Sequence, residues 1–297
     1  MSVVLPVLSS NAPASDRDLL RLFYKTEIEW ARHLGEETAL EIGTAFANCA
    51  LDRIADANRI MDVACPGDLS PIDLMTIVDT HFASQKSRCL KYVPNISAAP
   101  EQTARLVDHL RSRGFWERQL KVMKLDRYCG RPSESPDIQV VPARAVPQQT
   151  RALMADAGQQ QVDAQVVEAR IAHLDDGRYD LQIALTATPA NDREPTSIAG
   201  SHRTPSRASA CAGVLAVGEI GLIEQLFVAS FARRQGLGTF MMHRAIEVCA
   251  RSMFKHVLLS VEPDNDVAIS LYSKLGFREI GIYREWCAPD ATAVMSV

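Results

Sequence analysis

Seven consecutive residues, Arg233-Arg234-Gln235-Gly236-Leu237-Gly238-Thr239, bring together two arginines and two glycines. They follow the apolar run Leu222-Ile223-Glu224-Gln225-Leu226-Phe227-Val228 and precede an amphipathic stretch predicted to be helical over 237–252. A strand therefore runs into a glycine-bearing turn, and the turn into a helix. The first N–H groups of a helix have no intrahelical partner and carry partial positive charge. Glycines let an anion approach those groups closely. Arg233 and Arg234 add charge where a pyrophosphate would sit. Two common phosphate loops do not fit. A P-loop needs Lys after its last glycine, and Thr239 follows Gly238 here. The dinucleotide fingerprint needs a third glycine where Met241 stands. What remains is R-x-x-G-x-G, which on its own describes a tight strand-to-helix turn equally well.

The downstream segment Asn265-Asp266-Val267-Ala268-Ile269-Ser270-Leu271-Tyr272-Ser273-Lys274-Leu275-Gly276-Phe277 changes that balance. Together the two stretches resemble the GNAT superfamily of N-acetyltransferases. The [QR]-x-x-G-x-[GA] loop of that family matches Arg233, Gly236 and Gly238. A later pattern, N-x-x-A-x-x-[LF]-Y-x-[KR]-x-G-F, matches Asn265, Ala268, Leu271, Tyr272, Lys274, Gly276 and Phe277. The order is that of the family, with a helix and a strand between the motifs. The resemblance covers about 138–297, and its specific motifs lie within 222–277.

The resemblance implies a site for acetyl-CoA, or another acyl-CoA, as cosubstrate, with no metal. Leu226, Phe227 and Val228 would offer main-chain groups to the pantetheine arm. Arg233, Arg234, Gln235, Gly236, Leu237, Gly238 and Thr239 would wrap the pyrophosphate. Asn265 and Ala268 would lie beside the pantetheine, although Asn265 is equally suited to capping the following helix. The implied reaction is direct attack by a primary amine on the thioester. An ammonium must first lose a proton, and Glu224 is the candidate base. Tyr272 is the candidate acid for the leaving thiolate and a contact of the cofactor, and it could equally only pack. A non-catalytic acetyl-CoA sensor is the competing reading. The amine acceptor, small molecule or protein, has no signature.

Several elements must position these groups. Ser15 or Asp16 is predicted to cap a helix running to about Leu34, which Gly35 ends. The stretch 44–56 is ambiguous between strand and helix. Strands are predicted over 59–65, 88–93 and 119–125. Helices are predicted after Ser70-Pro71, with Ile72, Met75, Val78 and Phe82 as apolar stripe, and over 102–113. A Gly-, Pro- and Ser-bearing linker spans 129–137. Beyond it come strands over 138–142, 179–187, 211–217, 221–229, 257–261, 279–283 and 292–297. Helices are predicted over 147–157, 162–174 and 266–275. A polar loop spans 188–209. The strand–helix–strand–helix–strand order of 59–125 repeats over 221–285, and Arg113-Gly114-Phe115 echoes Leu275-Gly276-Phe277. Two tandem GNAT-like domains, 1–136 and 137–297, are expected. Each would be an α/β (α+β) unit with a mixed, mostly antiparallel twisted sheet flanked by helices. The first looks disarmed: its loop, Cys65-Pro66-Gly67-Asp68-Leu69-Ser70-Pro71, has one glycine, no arginine and a proline without an N–H.

Composition bounds the rest. The 297 residues carry 32 Lys plus Arg against 36 Asp plus Glu, a net charge of -4. A dedicated nucleic-acid surface usually carries a basic surplus, so no nucleic-acid partner is expected. Seven scattered cysteines without C-x-x-C argue against disulfides or zinc and for the cytoplasm. No apolar run is long enough to span a membrane. Met1 to Pro6 lacks the basic region of a signal peptide. Homodimerisation is left open.

Overall fold

A computed structural model describes residues 14–67, 69–130, 138–157, 160–187 and 206–292. The arm over 1–13, Asp68, most of the 129–137 linker, most of the 188–209 loop and residues 293–297 of the last expected strand lie outside the described residues. The strands are β1 (Glu36–Leu40), β2 (Gly43–Ala47), β3 (Arg59–Val63), β4 (Lys91–Pro94), β5 (Trp116–Leu125), β6 (Ile138–Pro142), β7 (Asp156–Ala157), β8 (Gln160–Gln161), β9 (Tyr179–Ala187), β10 (Ser206–Val217), β11 (Ile220–Val228), β12 (His256–Val261) and β13 (Phe277–Cys287). The helices are α1 (Asp16–Ala31), α2 (Pro71–Ser84), α3 (Pro100–Ser112), α4 (Pro147–Met154), α5 (Ala164–Ala172), α6 (Leu237–Arg251) and α7 (Asp266–Leu275).

Local chemistry sets several boundaries. Ser15 caps α1: its Oγ accepts from the Asp18 N–H at 3.2 Å, and the Asp18 carboxylate accepts from the Ser15 N–H. Ser70 caps α2 in the same way through the Asp73 N–H, with Pro71 at the first helical position. The stripe expected on α2 holds at three of its four positions, with Leu74 in place of Ile72. Leu74, Met75, Val78 and Phe82 are buried, whereas Ile72, in the first turn, is 63% exposed. The ambiguous stretch 44–56 resolves into β2 and one short 3-10 turn at Cys49–Leu51. β1 was not expected at all: its polar Glu36-Glu37-Thr38 start hides an edge strand paired only with β2.

Eleven strands form one sheet in the order β1-β2-β3-β4-β13-β5-β12-β11-β10-β9-β6. Neighbours are antiparallel except β3–β4 and β11–β12. The middle of this order shows how the halves join. β5, from the first half, lies between β12 and β13 of the second. β13, from the second half, lies between β4 and β5 of the first. Each half thus completes the other's sheet. β5 and β13 pair along nearly their whole length, from Phe277 opposite Leu125 to Cys287 opposite Trp116. The cores follow the strands: Leu120, Val122 and Met123 of β5 pack with Leu258 and Met241, while Trp286 of β13 packs among Val78, Phe82 and Leu110.

The repeat seen in the sequence is also present in the backbone. Left-handed residues occur at matching places: Asp62 in β3 and Gln225 in β11, Lys86 after α2 and Met253 after α6, Gly114 after α3 and Gly276 after α7. The two non-glycine strand positions are uncommon conformations, so their recurrence is informative. In this frame Met61 stands where Glu224 stands, and Leu110 where Tyr272 stands.

Because β5 and β13 cannot leave one half without opening the other, the chain should unfold as one unit. Urea denaturation followed by tryptophan fluorescence and by far-UV circular dichroism is expected to give coincident single transitions. Two resolved transitions would show that the halves are energetically separate.

Candidate active site

The turn after β11 leaves backbone donors unpaired. Arg234 (φ 62°) and Gly236 (φ 79°) are both left-handed, which turns successive backbone N–H groups toward one side. Gly236 is the N-cap of α6 and contributes no side-chain cap. The first intrahelical bond from this end is Phe240 N–H to the Gly236 carbonyl at 2.9 Å, so Leu237, Gly238 and Thr239 keep unpaired N–H groups. Arg233, Arg234, Gln235 and Thr239 are exposed around them. Arg233 donates to the Val228 carbonyl at 3.3 Å, and Gln235 donates to the Phe231 carbonyl at 3.3 Å. Two neighbours escaped the sequence reading. Asp156 accepts from the Ser230 N–H and Oγ at 3.1 Å each and anchors the turn. The Arg207 guanidinium lies 3.8 Å from the centroid of the exposed Phe231 ring and adds a third cation.

Beside this turn the sheet splays. β11 and β12 pair only from Ile220–His256 to Leu222–Leu258. Past that point β12 stays with β5, Phe227 and Val228 keep only their β10 neighbours, and Leu226 falls in the β10–β11 register slip. The gap is a ready path for an extended ligand seeking main-chain partners. The first half is built differently. β3 and β4 stay paired to Val63–Pro94, and the Asn95 N–H closes onto the Val63 carbonyl at 2.9 Å. Its helix N-terminus is already capped by Ser70 and blocked by Pro71. Among the described residues there, the strands leave no open gap, and Ser70 and Pro71 take two of the first donors of α2 out of play.

Glu224 and Gln225 face one cavity because the strand bulges. The β10–β11 register slips between Cys211 and Gly213, at the left-handed Gln225. A bulge lets consecutive side chains share a face. Gln225 is locked there: its carbonyl oxygen accepts from the Tyr179 hydroxyl at 3.1 Å, and its amide donates to the Arg170 carbonyl at 2.9 Å. The Tyr179 hydroxyl occupies the space a side chain at position 213 would need, which explains Gly213.

The cavity measures about 40 Å³ and lies between the halves. Glu224, Gln225 and Ser260 form its second-half wall; Glu27, Trp30, Asp56, Lys91, Arg118 and Leu120 come from the first half, and Glu285 from β13. Most charges are paired. Lys91 donates to Asp56 at 2.6 Å and sits 2.8 Å from Glu285. Arg118 donates to Glu285 at 2.9 Å and also binds Glu262. Arg59 meets Glu27 at 3.4 Å and Asp56 at 3.7 Å. Burial opposes charge on Lys91 and Arg59, but the neighbouring carboxylates outweigh it and hold both cations charged. Glu224 is different: it is 8% exposed and has no hydrogen bond or ion pair with the described residues. Burial raises its pKa well above the carboxylate range. Glu27 and Asp56 add to that rise against the pull of Arg118 and Arg59.

Tyr272 is fully buried on α7, and its hydroxyl has no hydrogen-bond partner. Burial, reinforced by Glu224, pushes its hydroxyl up from the ordinary tyrosine range and keeps it protonated. An orphaned buried hydroxyl costs about 1–3 kcal/mol, which a bound ligand group would relieve. Asn265 caps α7, its Oδ1 accepting from the Ala268 N–H at 3.2 Å. Cys211 and Cys249 are buried thiols, pushed up to about 12 by burial, and so stay protonated. The structure places Tyr272 near enough for Glu224 to act on its hydroxyl, and sets Gly238 of the turn beside Val228 and Leu271. The sequence reading missed Gln225 and the buried ions. Residue parity held a signal for two of them: Arg118 shares a strand face with Leu120 and Val122, and Glu285 with Tyr283.

Comparison with known proteins agrees with this layout. Residues 174–277 match the family model for the acetyltransferase (GNAT) family, from the end of the α5 region through Phe277. A GCN5-related N-acetyltransferase from Kribbella flavida shares 14% identity at a TM-score of 0.57, covering 90% of this chain and 95% of that one. A functionally unknown conserved protein from Staphylococcus epidermidis shares 12% identity at 0.58, covering 85% and 93%. A Drosophila protein shares 12% at 0.51, covering 94% and 99%. At such identities these likenesses establish the fold, and they do so across both halves. Residues 174–277 thus match the GNAT family, and the fold of nearly the whole chain is like that of a solved GCN5-related N-acetyltransferase.

Gly236→Val should strain the left-handed turn by about 1–2 kcal/mol and redirect its donors. Thermal stabilisation by acetyl-CoA is expected to fall away in this variant while the unliganded chain still folds. Undiminished stabilisation would mean the anion is held elsewhere.

Proposed function

We propose that this GNAT domain is catalytic and transfers an acetyl group from acetyl-CoA to a primary amine by direct attack. The observation that carries the reading is the conjunction of an uncapped helix N-terminus after β11 with a buried Glu224 on that strand, unpaired among the described residues. A bound thioester would supply the activated acyl carbon.

Each residue then has a task that follows from its surroundings. The N–H groups of Leu237, Gly238 and Thr239, with Arg233 and Arg234, hold the pyrophosphate. The unpaired edge of β11 at Leu226–Val228 offers main-chain groups to the pantetheine amides and a donor for developing negative charge on oxygen. Glu224 takes the proton from the acceptor ammonium. A carboxylate held above its usual range is a stronger base and better matched to that work near neutral pH. Tyr272 stays protonated until a strong base, the departing thiolate, is beside it, and then gives up its proton. Asn265 fixes the first turn of α7, from which Tyr272 projects.

Two variants test the roles. Glu224→Gln is expected to lower turnover by roughly 10²–10⁴-fold while acetyl-CoA still binds. In the wild type, Glu224 must be ionised to accept a proton. Activity should therefore be lost as pH falls through a value well above the ordinary glutamate range, and the loss should vanish from the residual activity of the variant. Tyr272→Phe should reduce turnover with little change in acetyl-CoA affinity. If free CoA thiol appears no faster with any amine than without one, the domain binds its ligand without transferring from it.

A further inference from the structure

The acceptor's own site can be read from the charges that remain unmatched. Of the groups lining the cavity, four are carboxylates, Glu27, Asp56, Glu224 and Glu285, and two are cations, Lys91 and Arg118. Both cations are committed: Lys91 bridges Asp56 and Glu285, and Arg118 holds Glu285 and Glu262. Arg59, behind the wall, faces Glu27 at a loose 3.4 Å. Glu224 has no cation and is more than nine-tenths buried. A buried carboxylate without a partner is expensive, and a cation completing the set relieves that cost.

Deepening the acyltransfer reading, and resting on it, we propose that the acceptor's amine end enters this cavity between the halves. Glu27 and Trp30 of the first half there select a compact, unbranched, cationic amine with no carboxylate beside it. Size sets the first limit. At roughly 10–15 Å³ per water, the space holds about three waters, the bulk of one aminoethyl group. Leu120 and Trp30 line the same small space and leave little of it for a branch at the amine-bearing carbon. Charge sets the second limit: a carboxylate next to the amine would find no uncommitted cation and would face Glu27 and Glu224. The indole of Trp30 suits an ammonium and its methylene. The first half, with a closed β3–β4 pair and no ligand loop of its own, thereby gains a role as the floor of the second half's acceptor site.

The test uses the full chain with acetyl-CoA and three four-carbon amines: n-butylamine, sec-butylamine and 2-aminobutyrate. The expected kcat/KM for n-butylamine exceeds each of the others by about 10-fold or more, the scale of one misplaced group in a fitted pocket. Leu120→Ala should narrow the gap between n-butylamine and sec-butylamine. Glu27→Gln should raise KM for n-butylamine with KM for acetyl-CoA unchanged, and the wild-type series decides even if that variant does not fold. Equal or better turnover of sec-butylamine or 2-aminobutyrate overturns this inference alone. No turnover with any amine, while acetyl-CoA still stabilises the chain, overturns the acyltransfer reading and this inference with it.

Discussion

Strands β5 and β13 lie side by side at the middle of the sheet, and each is an interior strand of the other half. Their backbone ladder is the joint from which the site hangs. Arg118 of β5 and Glu285 of β13 meet across it at 2.9 Å, both buried. Glu285 in turn orients Lys91, and Lys91 orients Asp56. Removing one member of such a chain leaves a charge in a low-dielectric interior, commonly costing 3–5 kcal/mol. The exchange therefore does more than fasten two halves. It fixes the charges that surround Glu224 and so its readiness to take a proton.

The halves share a plan and differ in what they leave unsatisfied. In the second, a left-handed turn strips α6 of its cap, β11 leaves β12, and two buried groups, Glu224 and the Tyr272 hydroxyl, lack partners. In the first, Ser70 and Pro71 use up the helix end, β3 keeps β4, and Met61 and Leu110 stand at the matching positions. A fold can duplicate without duplicating a site, because the site is made of unpaired groups that the fold does not require.

What could be read from the chain beforehand follows the range of the forces involved. α7 begins and ends at 266 and 275 as expected, because Asn265 and Gly276 punctuate it locally. The Ser15 and Ser70 caps were legible for the same reason. The glycine turn was legible because its conformation is encoded in adjacent residues. The exchange of β5 and β13 was not, since pairing partners more than a hundred residues apart leave no local pattern. Nor was the ionic cluster as a whole: Asp56, Lys91, Arg118 and Glu285 come from four places in the chain, and the strand parity of Arg118 and Glu285 marks them as inward without naming their partners. The bulge at Gln225, which turns Glu224 and its neighbour to one face, is likewise invisible in residue types.

The asymmetry between the halves is the claim on which the rest stands, and amide hydrogen exchange with and without acetyl-CoA reads it directly. Only amides that become covered or hydrogen-bonded should slow. The expected result is new protection at 226–228 and 236–239, with none at 63–74. Protection at 63–74, or no ligand-dependent change at 226–239, would contradict it.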